Sequence, residues 1–496
     1  LLHIGVRVNI SLISDFLIKM MKLPVRFFDT KMTGDLLQRI FDNKRVETFL
    51  SSTTLITLFS LINFVIFGIV LLYYDRAIFY IFSFATVLYL AWIFLFLKKR
   101  RELDYKRFDQ MAENQSNLIQ LIGGIKEIKL HNAEKQKRWA WERIQAKLFR
   151  VSLDFLRVDQ FQKSGSAFIN ESKNILISFL AARAVIEGQM TLGMMLAVQY
   201  IIGQLNAPIE QLVTFIHSAQ DAKISLERMN EIHTQKNEEE ASNKIPMLPE
   251  KRDLNLQDVS FQYSGPHSPM VLQDISFSIP SGQTTAIVGT SGSGKTTILK
   301  LLLNFYEPTT GRVSIGDQSL VNMQNRMWRD RCGVVMQDGY IFSESIAKNI
   351  ALGDEIIDRK KLLQAVKVAN FQDYIESLPL GYNTKVGADG MGLSQGQKQR
   401  MLIARAVYKN PDYIFFDEAT NALDAFNELV IMENLEEFFE GKTVVIVAHR
   451  LSTVKNADNI VVLERGELVE QGTHKELTAL KGAYYHLVKN QLELGA

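Results

Sequence analysis

The run Gly289-Thr290-Ser291-Gly292-Ser293-Gly294-Lys295-Thr296 sets glycines, a lysine and a hydroxyl at the spacing of a phosphate-binding loop. Each residue type has a job there. Glycines let the backbone turn sharply and aim successive N–H groups at phosphate oxygens. Lys295 would put a cation on the outer phosphates, and the Thr296 hydroxyl would ligate Mg2+. The flanks agree with this reading. Thr284–Val288 is short, β-branched and apolar, which predicts a strand, and Thr297–Leu303 starts a helix. The loop would then sit at a helix N-terminus, where anions are favoured. A Gly/Ser-rich turn that binds nothing would not require all of these elements together.

Downstream, Asp417 and Glu418 follow the apolar strand Tyr413–Phe416. A carboxylate at a buried strand end can hold Mg2+ directly or through water, and a second one beside it can polarise a water that attacks a γ-phosphate. Acidic residues after a strand are common, so this pair gains its weight from the loop upstream. Between them lies Leu393-Ser394-Gln395-Gly396-Gln397, followed by Lys398-Gln399-Arg400. At the start of a helix, Ser394 and Gly396 offer a hydroxyl and N–H donors to an anion. Taken alone, the same residues read equally well as an ordinary N-cap at Ser394.

The elements that must position these residues belong to a chain of two unlike halves. At 496 residues it should hold more than one domain. With 56 basic and 54 acidic residues it implies no general nucleic-acid surface. A single cysteine, Cys332, excludes an internal disulfide framework, fits a reducing compartment and reads as an ordinary buried thiol. Residues 54–74 and 77–97 contain no charge, and each has the length of roughly 20 residues that a helix needs to cross a bilayer. Only Asp75 and Arg76 separate them, which predicts a tight hairpin. Lys98-Lys99-Arg100-Arg101 follows, and the positive-inside rule puts it in the cytoplasm. A weaker hydrophobic pair, about 164–186 and 190–216, is split by Glu187-Gly188-Gln189. Its first member carries Glu171, Lys173 and Arg183. Each charge at a bilayer centre costs about 2.5–3.5 kcal/mol, so these side chains should face protein or water. Glu171 and Lys173 either line a substrate path or sit near the inner interface, solvated or paired there, and Arg183 can snorkel at the outer end. Residues 1–52 and 98–162 read as long cytoplasmic helices. A polar linker, about 234–252, precedes short strands that alternate with helices, the pattern of an α/β domain with a largely parallel sheet.

The sequence Leu393–Gln397 resembles the signature of the ATP-binding cassette (ABC) family, usually written LSGGQ, with Gln395 at the third position. The resemblance implies that Tyr263 stacks on adenine, that residues 289–297 hold ATP, and that Gln337 senses Mg2+. It implies that His449 contacts the γ-phosphate, with Lys295 and Glu418 catalytic and Thr296, Gln337 and Asp417 around the metal. Asn421-Ala422-Leu423-Asp424 matches a loop usually written SALD, and its Asp424 would communicate between two nucleotide sites. Thr384–Gly390 resembles an exporter-specific segment in which Ala388 replaces the usual glutamate. Residues 23–35, and 124–129 with Glu134, look like the two cytoplasmic loops of hemolysin- and bacteriocin-type exporters, each carrying a short coupling helix.

These resemblances imply a multidomain membrane protein. An all-α membrane domain at 1–233, showing four of six helices, would precede a linker at 234–252 and an α/β P-loop ATP-binding cassette at 253–496. The start at Leu1 reads as an N-terminal truncation, and a cysteine peptidase precedes the membrane part in the nearest subfamily. The expected function is ATP-driven export of a peptide across the cytoplasmic (inner) membrane, with the ATP-binding domain in the cytoplasm. ATP and Mg2+ are the expected cofactors. The expected partners are a second copy supplying residues 393–397 in trans, the lipid bilayer, the peptide and an accessory periplasmic or outer-membrane component, with no nucleic acid. The alternatives are a lipid or small-hydrophobe exporter and, more remotely, a non-transporting ABC ATPase.

Overall fold

In the first half, apolar residues crowd every face of some helices and one face of others. A computed structural model describes residues 2–239, 244–263, 265, 268–388, 390–448 and 454–494. The chain divides into two units, Leu1–Asn237 and Glu238–Ala496. The first unit is helical: α1 (Leu2–Met21), α2 (Val25–Thr30), α3 (Thr33–Asp42), α4 (Lys44–Thr48), α5 (Thr54–Tyr74), α6 (Arg76–Gly123), α7 (Ile125–Leu130), α8 (Glu134–Ile186) and α9 (Leu192–His233). Residues 1–52 are therefore more broken than the expected long helices. Pro24 starts α2 and an extended Lys31 ends it. A π-helical turn, Phe49–Thr53, joins α4 to α5.

Among the described residues, three helical runs are long and apolar enough to cross a membrane: Thr33–Tyr74, Arg76–Gly123 and Leu192–His233. The expected segment 164–186 forms the last part of α8, and it is not among those three, because polar and charged residues dilute it. Apolar side chains point both inward and outward. Leu71, Ile177, Val198 and Leu205 are fully buried, whereas Phe84 and Phe179 are 74% and 64% exposed. An outer surface of that kind suits lipid. Asp75 makes the hairpin turn and caps α6, accepting from the Ile78 N–H at 2.9 Å. At 48 and 53 residues, α6 and α8 extend about 70–80 Å at 1.5 Å per residue. That is far beyond a bilayer core of about 30 Å. They pack along each other, and Gly165 makes room for Trp92, whose ring a Cβ there would approach to 2.4 Å.

Beyond the apolar stretches, these helices are tied together by charge. Arg228 of α9 is 1% exposed. It donates to Asp42 Oδ2 at 2.6 Å and to Asp104 Oδ2 of α6 at 3.0 Å. Its guanidinium lies over Phe108 at 4.0 Å and Tyr105 at 4.8 Å. Arg45 of α4 reaches the same two carboxylates, Asp42 at 3.1 Å and Asp104 at 3.0 Å. Arg39 of α3 donates to the Arg228 carbonyl and to Glu231. Removing one partner from such a buried cluster strands an uncompensated charge. Arg228→Ala should therefore cost about 3–5 kcal/mol, read as a lower unfolding midpoint of the detergent-solubilised protein. Glu227→Ala, at an exposed pair with Arg101, should change it by less than about 1 kcal/mol.

The second unit holds two sheets. An antiparallel sheet has the order β2-β1-β4-β5, with β1 (Leu254–Phe261), β2 (Leu272–Ile279), β4 (Thr310–Ile315) and β5 (Gln318–Ser319). The other sheet has the order β10-β9-β3-β8-β7-β6. Its members are β3 (Thr284–Gly289), β6 (Cys332–Val335), β7 (Tyr413–Asp417), β8 (Thr443–Val447), β9 (Asn459–Glu464) and β10 (Glu467–Gly472). All pairings among β3, β6, β7, β8 and β9 are parallel, and only β10 runs antiparallel. Strands β7 and β8 are buried at every residue, as expected of a sheet covered on both faces. One core, around Trp328, Phe415 and Ile298, fills the space toward the antiparallel sheet. The other, around Phe371, Met401 and Leu435, lies on the opposite face. The helices of this unit include α10 (Lys295–Leu302), α11 (Asn325–Asp330), α12 (Ile346–Ile350), α13 (Arg359–Val368), α14 (Gln372–Glu376), α15 (Gln395–Tyr408) and α16 (Ala425–Phe439).

Candidate active site

Strand β3 ends at Gly289, with φ +152°, and α10 begins directly after Gly294, with φ +100°. A Cβ on Gly289 would lie 2.2 Å from the Leu463 carbonyl oxygen, and one on Gly294 would lie 2.5 Å from Leu272 Cδ2. Both positions therefore need glycine for conformation and for space. Lys295 is buried and donates to the carbonyls of Gly289 at 3.0 Å and Thr290 at 2.9 Å. Burial pulls its pKa below the ordinary lysine value, while the nearby carboxylates of Glu418 and Asp417 act in the opposite sense. The Tyr263 and Thr297 hydroxyls share a hydrogen bond at 3.0 Å. Tyr263 lies just past the end of β1 rather than within a strand.

Asp417 is the last residue of β7, inside the strand rather than after it. The Thr296 hydroxyl donates to its Oδ1 at 3.2 Å. Its Oδ2 is buried with no hydrogen-bond partner among the described residues, and burial raises its pKa above the ordinary carboxylate value. A buried carboxylate oxygen beside a threonine hydroxyl is a hard-oxygen pair that suits Mg2+. Glu418 follows with φ +52°, a left-handed conformation rare for a residue with a side chain. Its carboxylate accepts from Gln337 Nε2 at 3.1 Å and from Asn421 Nδ2 at 2.6 Å, both on Oε2. Because those contacts turn the Gln337 amide nitrogen toward Glu418, the carbonyl oxygen of Gln337 is the atom suited to a cation.

Ser394 caps α15 in a reciprocal capping box. Its hydroxyl accepts from Gln397 N–H at 3.2 Å, and its own N–H donates to Gln397 Oε1 at 2.8 Å. Its carbonyl accepts from the Lys398 N–H at 2.9 Å, as the helix begins. Ser394 and Gln395 are exposed, and Leu393, Gly396 and Gln397 are half-buried. Asp424 caps α16, accepting from Asn427 N–H at 2.9 Å. That bond holds its pKa below the ordinary carboxylate value. Val386, in the segment before α15, donates to the Glu344 carbonyl at 2.9 Å, and Ala388 is exposed. His449, expected at the γ-phosphate, lies outside the described residues.

The structure therefore joins Lys295, Thr296, Asp417, Gln337 and Glu418 at one edge of the parallel sheet, and places residues 393–397 on a separate helix start. Sequence reasoning missed two residues. Asn421 was noted only as a departure from serine. Gln399 was named but given no part, although it is 6% exposed on α15 and contacts the Glu418–Ala422 turn. A polar side chain three and four residues before Leu402 and Ile403, on their buried face, was the available signal. In the membrane unit, Lys173 is buried, donating to Asn170 and Asn206 at 2.7 and 2.8 Å, while Glu171 is exposed and Arg183 pairs with Glu187 at 2.6 Å.

A phosphate-binding loop and paired carboxylates on a parallel sheet, in a chain that also carries membrane-length helices, define a membrane-bound nucleotide hydrolase. Residues 272–421 match the family model described as ABC transporter, and residues 1–209 match the ABC transporter transmembrane region. The chain is 35% identical over 485 residues to the toxin RTX-I translocation ATP-binding protein of Actinobacillus pleuropneumoniae, spanning 98% of this chain and 68% of that protein. It is 34% identical over 493 residues to the leukotoxin translocation ATP-binding protein LktB of Mannheimia haemolytica, spanning 99% of this chain and 69% of that one. A solved bacterial Atm1-family ABC exporter with ATP bound superposes with a TM-score of 0.89 at 26% identity, covering 98% of this chain and 85% of that one. The chain belongs to the ABC transporter family, as an exporter with fused membrane and ATP-binding domains. It is a multi-pass inner-membrane protein whose ATPase is coupled to transport.

Asp417 carries an energetic cost that its chemistry explains. Its ionised form is disfavoured by burial, so the folded state holds the proton more tightly than the unfolded chain, and the contribution to stability falls as pH rises above the ordinary aspartate value. Asp417→Asn should raise the unfolding midpoint at neutral pH without nucleotide, and lower ATP turnover by at least about a hundredfold. Thermal unfolding and phosphate release, measured on the same preparation, check both.

Proposed function

We propose that the chain hydrolyses ATP as one half of a homodimer and uses the energy to export a polypeptide. The observation that carries the hydrolytic part is the Glu418 carboxylate, held on one oxygen by the Gln337 and Asn421 amides beside the Thr296–Asp417 pair. Tyr263 receives the adenine and the 289–297 backbone receives the phosphates. Lys295 exchanges its loop carbonyls for phosphate oxygens. Glu418 takes a proton from the water that attacks the γ-phosphate, as ADP leaves with the β–γ bridging oxygen, and His449 contacts the transferred group. Thr296, Asp417 and Gln337 would hold Mg2+, which when bound would offset charge on the phosphates.

Residues 393–397 present hydroxyl and N–H groups outward at a helix start, a surface suited to the phosphates of a second copy. Asp424, capping α16 close by in sequence, links the two sites. Short α2 and α7 sit at chain reversals and expose Phe28, Ile125 and Leu130, which suits coupling helices. The domains run 1–233 and 253–496, with 234–252 as linker. If α9 crosses the bilayer and delivers the ATP-binding domain to the cytoplasm, α8 must cross as well, since Lys98–Arg101 fix the far end of α6 inside. Lys173 is then a buried cation spending donors on two asparagines, as a membrane helix requires. A polypeptide substrate is supported by the likeness to toxin translocation ATP-binding proteins, and an accessory envelope component is proposed along with it.

Glu418→Gln should bind ATP normally and lose at least about tenfold in turnover; unchanged phosphate release would remove Glu418 as the base. In vesicles, peptides with a double-glycine leader should stimulate the wild-type ATPase. Stimulation by lipids alone would instead mark the transporter as a lipid exporter.

A further inference from the structure

One buried amide joins the signature helix to the turn that carries Glu418. Gln399 lies in the second turn of α15 and is 6% exposed. Its Nε2 donates to the Glu418 carbonyl at 3.3 Å, and its Oε1 accepts from the Ala422 N–H at 3.0 Å. Chemistry fixes that orientation, because a peptide carbonyl only accepts and a peptide N–H only donates. The same helix start touches the same turn elsewhere. A Cβ on Gly396 would lie 3.1 Å from the Ala422 carbonyl oxygen, which leaves almost no slack between them.

The turn so held is one that needs holding. Glu418 sits at φ +52°, and such a conformation persists where the surroundings over-determine it. Its N–H donates to the Val447 carbonyl at 3.0 Å, and its carbonyl accepts from Asn421 N–H at 3.2 Å as well as from Gln399. The backbone that aims the carboxylate is thus pinned on one side by the sheet and on the other by α15. The capping box at Ser394–Gln397 makes the first turn of α15 stiff.

We propose that Gln399 is the positioning residue that locks the aim of Glu418 to the signature helix. Any shift of α15 as residues 394–396 engage a second copy's nucleotide reaches Glu418 of its own chain through this side chain. The two ATP sites of a dimer would then be coupled from the signature of one to the base of the other. This rests on the reading of Glu418 as the general base.

The test uses the full chain in lipid vesicles, with Gln399→Met, which keeps volume and loses both hydrogen bonds, and Gln399→Glu, which keeps the acceptor for Ala422 and sets a carboxylate oxygen against the Glu418 carbonyl. Both should lower kcat for ATP by at least about tenfold with KM within about threefold. Both should bring the Hill coefficient for ATP toward one. In a Glu418→Gln background, adding Gln399→Met should lower the residual rate by less than about threefold, because both act on one group. Unchanged kcat in both variants, while Glu418→Gln alone is impaired, overturns this proposal and leaves the Glu418 reading standing. So does an equal fractional loss in the Glu418→Gln background. Wild-type turnover in Glu418→Gln itself overturns the underlying reading. Should Gln399→Met lose its unfolding transition, Gln399→Glu decides.

Discussion

Parallel strand pairing is the constraint on which the hydrolytic site depends. Ile287 of β3 and Asp417 of β7 both pair with Val447 of β8, from opposite sides. That register sets the start of the phosphate loop and the Asp417–Glu418 pair level with each other, with β8 between. Val335 pairs with Phe416, so Gln337 leaves the sheet at the same edge. Residues far apart in the chain converge because parallel strands all end on one side, where ligands of such sheets bind. A one-residue slip of β7 would turn Asp417 to the other face and separate it from Thr296. The uniformly β-branched and aromatic strands Thr443–Val447 and Tyr413–Phe416, buried on both faces, are what hold the register.

Several features of the site oppose folding and are intelligible only as chemistry. Asp417 keeps an oxygen buried without a partner among the described residues, Lys295 is buried among backbone carbonyls, and Glu418 occupies left-handed backbone space. Each would be improved by a neutral or smaller residue if stability were the only demand. Together they place a cation, an unsatisfied anion and a poised carboxylate around one small volume. The surrounding cores, centred on Trp328 and Phe371, supply the apolar burial that tolerates them.

Much of this was legible in the sequence because the information is local. The phosphate loop declares itself by glycine spacing. The strands beside it declare themselves by unbroken apolar runs, and the first membrane hairpin by length and absence of charge. Ser394 could be read as a helix cap, and it is one. The antiparallel sheet was legible only as separate strands, since nothing local states that β1 pairs with β4 as well as β2. Gln399 was not legible, because its meaning lies in a carbonyl and an N–H supplied by another segment. Arg228 was not legible either. It sits in a helical stretch that also bears Lys223 and Glu227, and its partner Asp42 lies 186 residues away. The segment 164–186 was read as a membrane helix from its average character. It proved to be the end of a 53-residue helix, in which Lys173 donates to Asn170 of the same helix and to Asn206 of α9.

The same contrast separates the ways in which each unit is held together internally. Within the membrane unit, apolar packing alone is a weak guide to register, because lipid solvates the outer faces as well as protein does. Directional contacts must supply it. Trp92 seats against Gly165 and donates to the Gln162 carbonyl at 3.1 Å, and Gly34 closes on Ser116. Outside the apolar zone, the Asp42–Arg228–Asp104 cluster clasps three helices at one level. Such a cluster is stiff while intact, and partial rupture is costly, since each broken pair leaves a charge behind. Helices joined in that way move together or rearrange as a set. Packed elements of this kind respond by switching rather than by gradual bending, and a transport cycle driven by ATP binding and hydrolysis needs that response from its cytoplasmic levers.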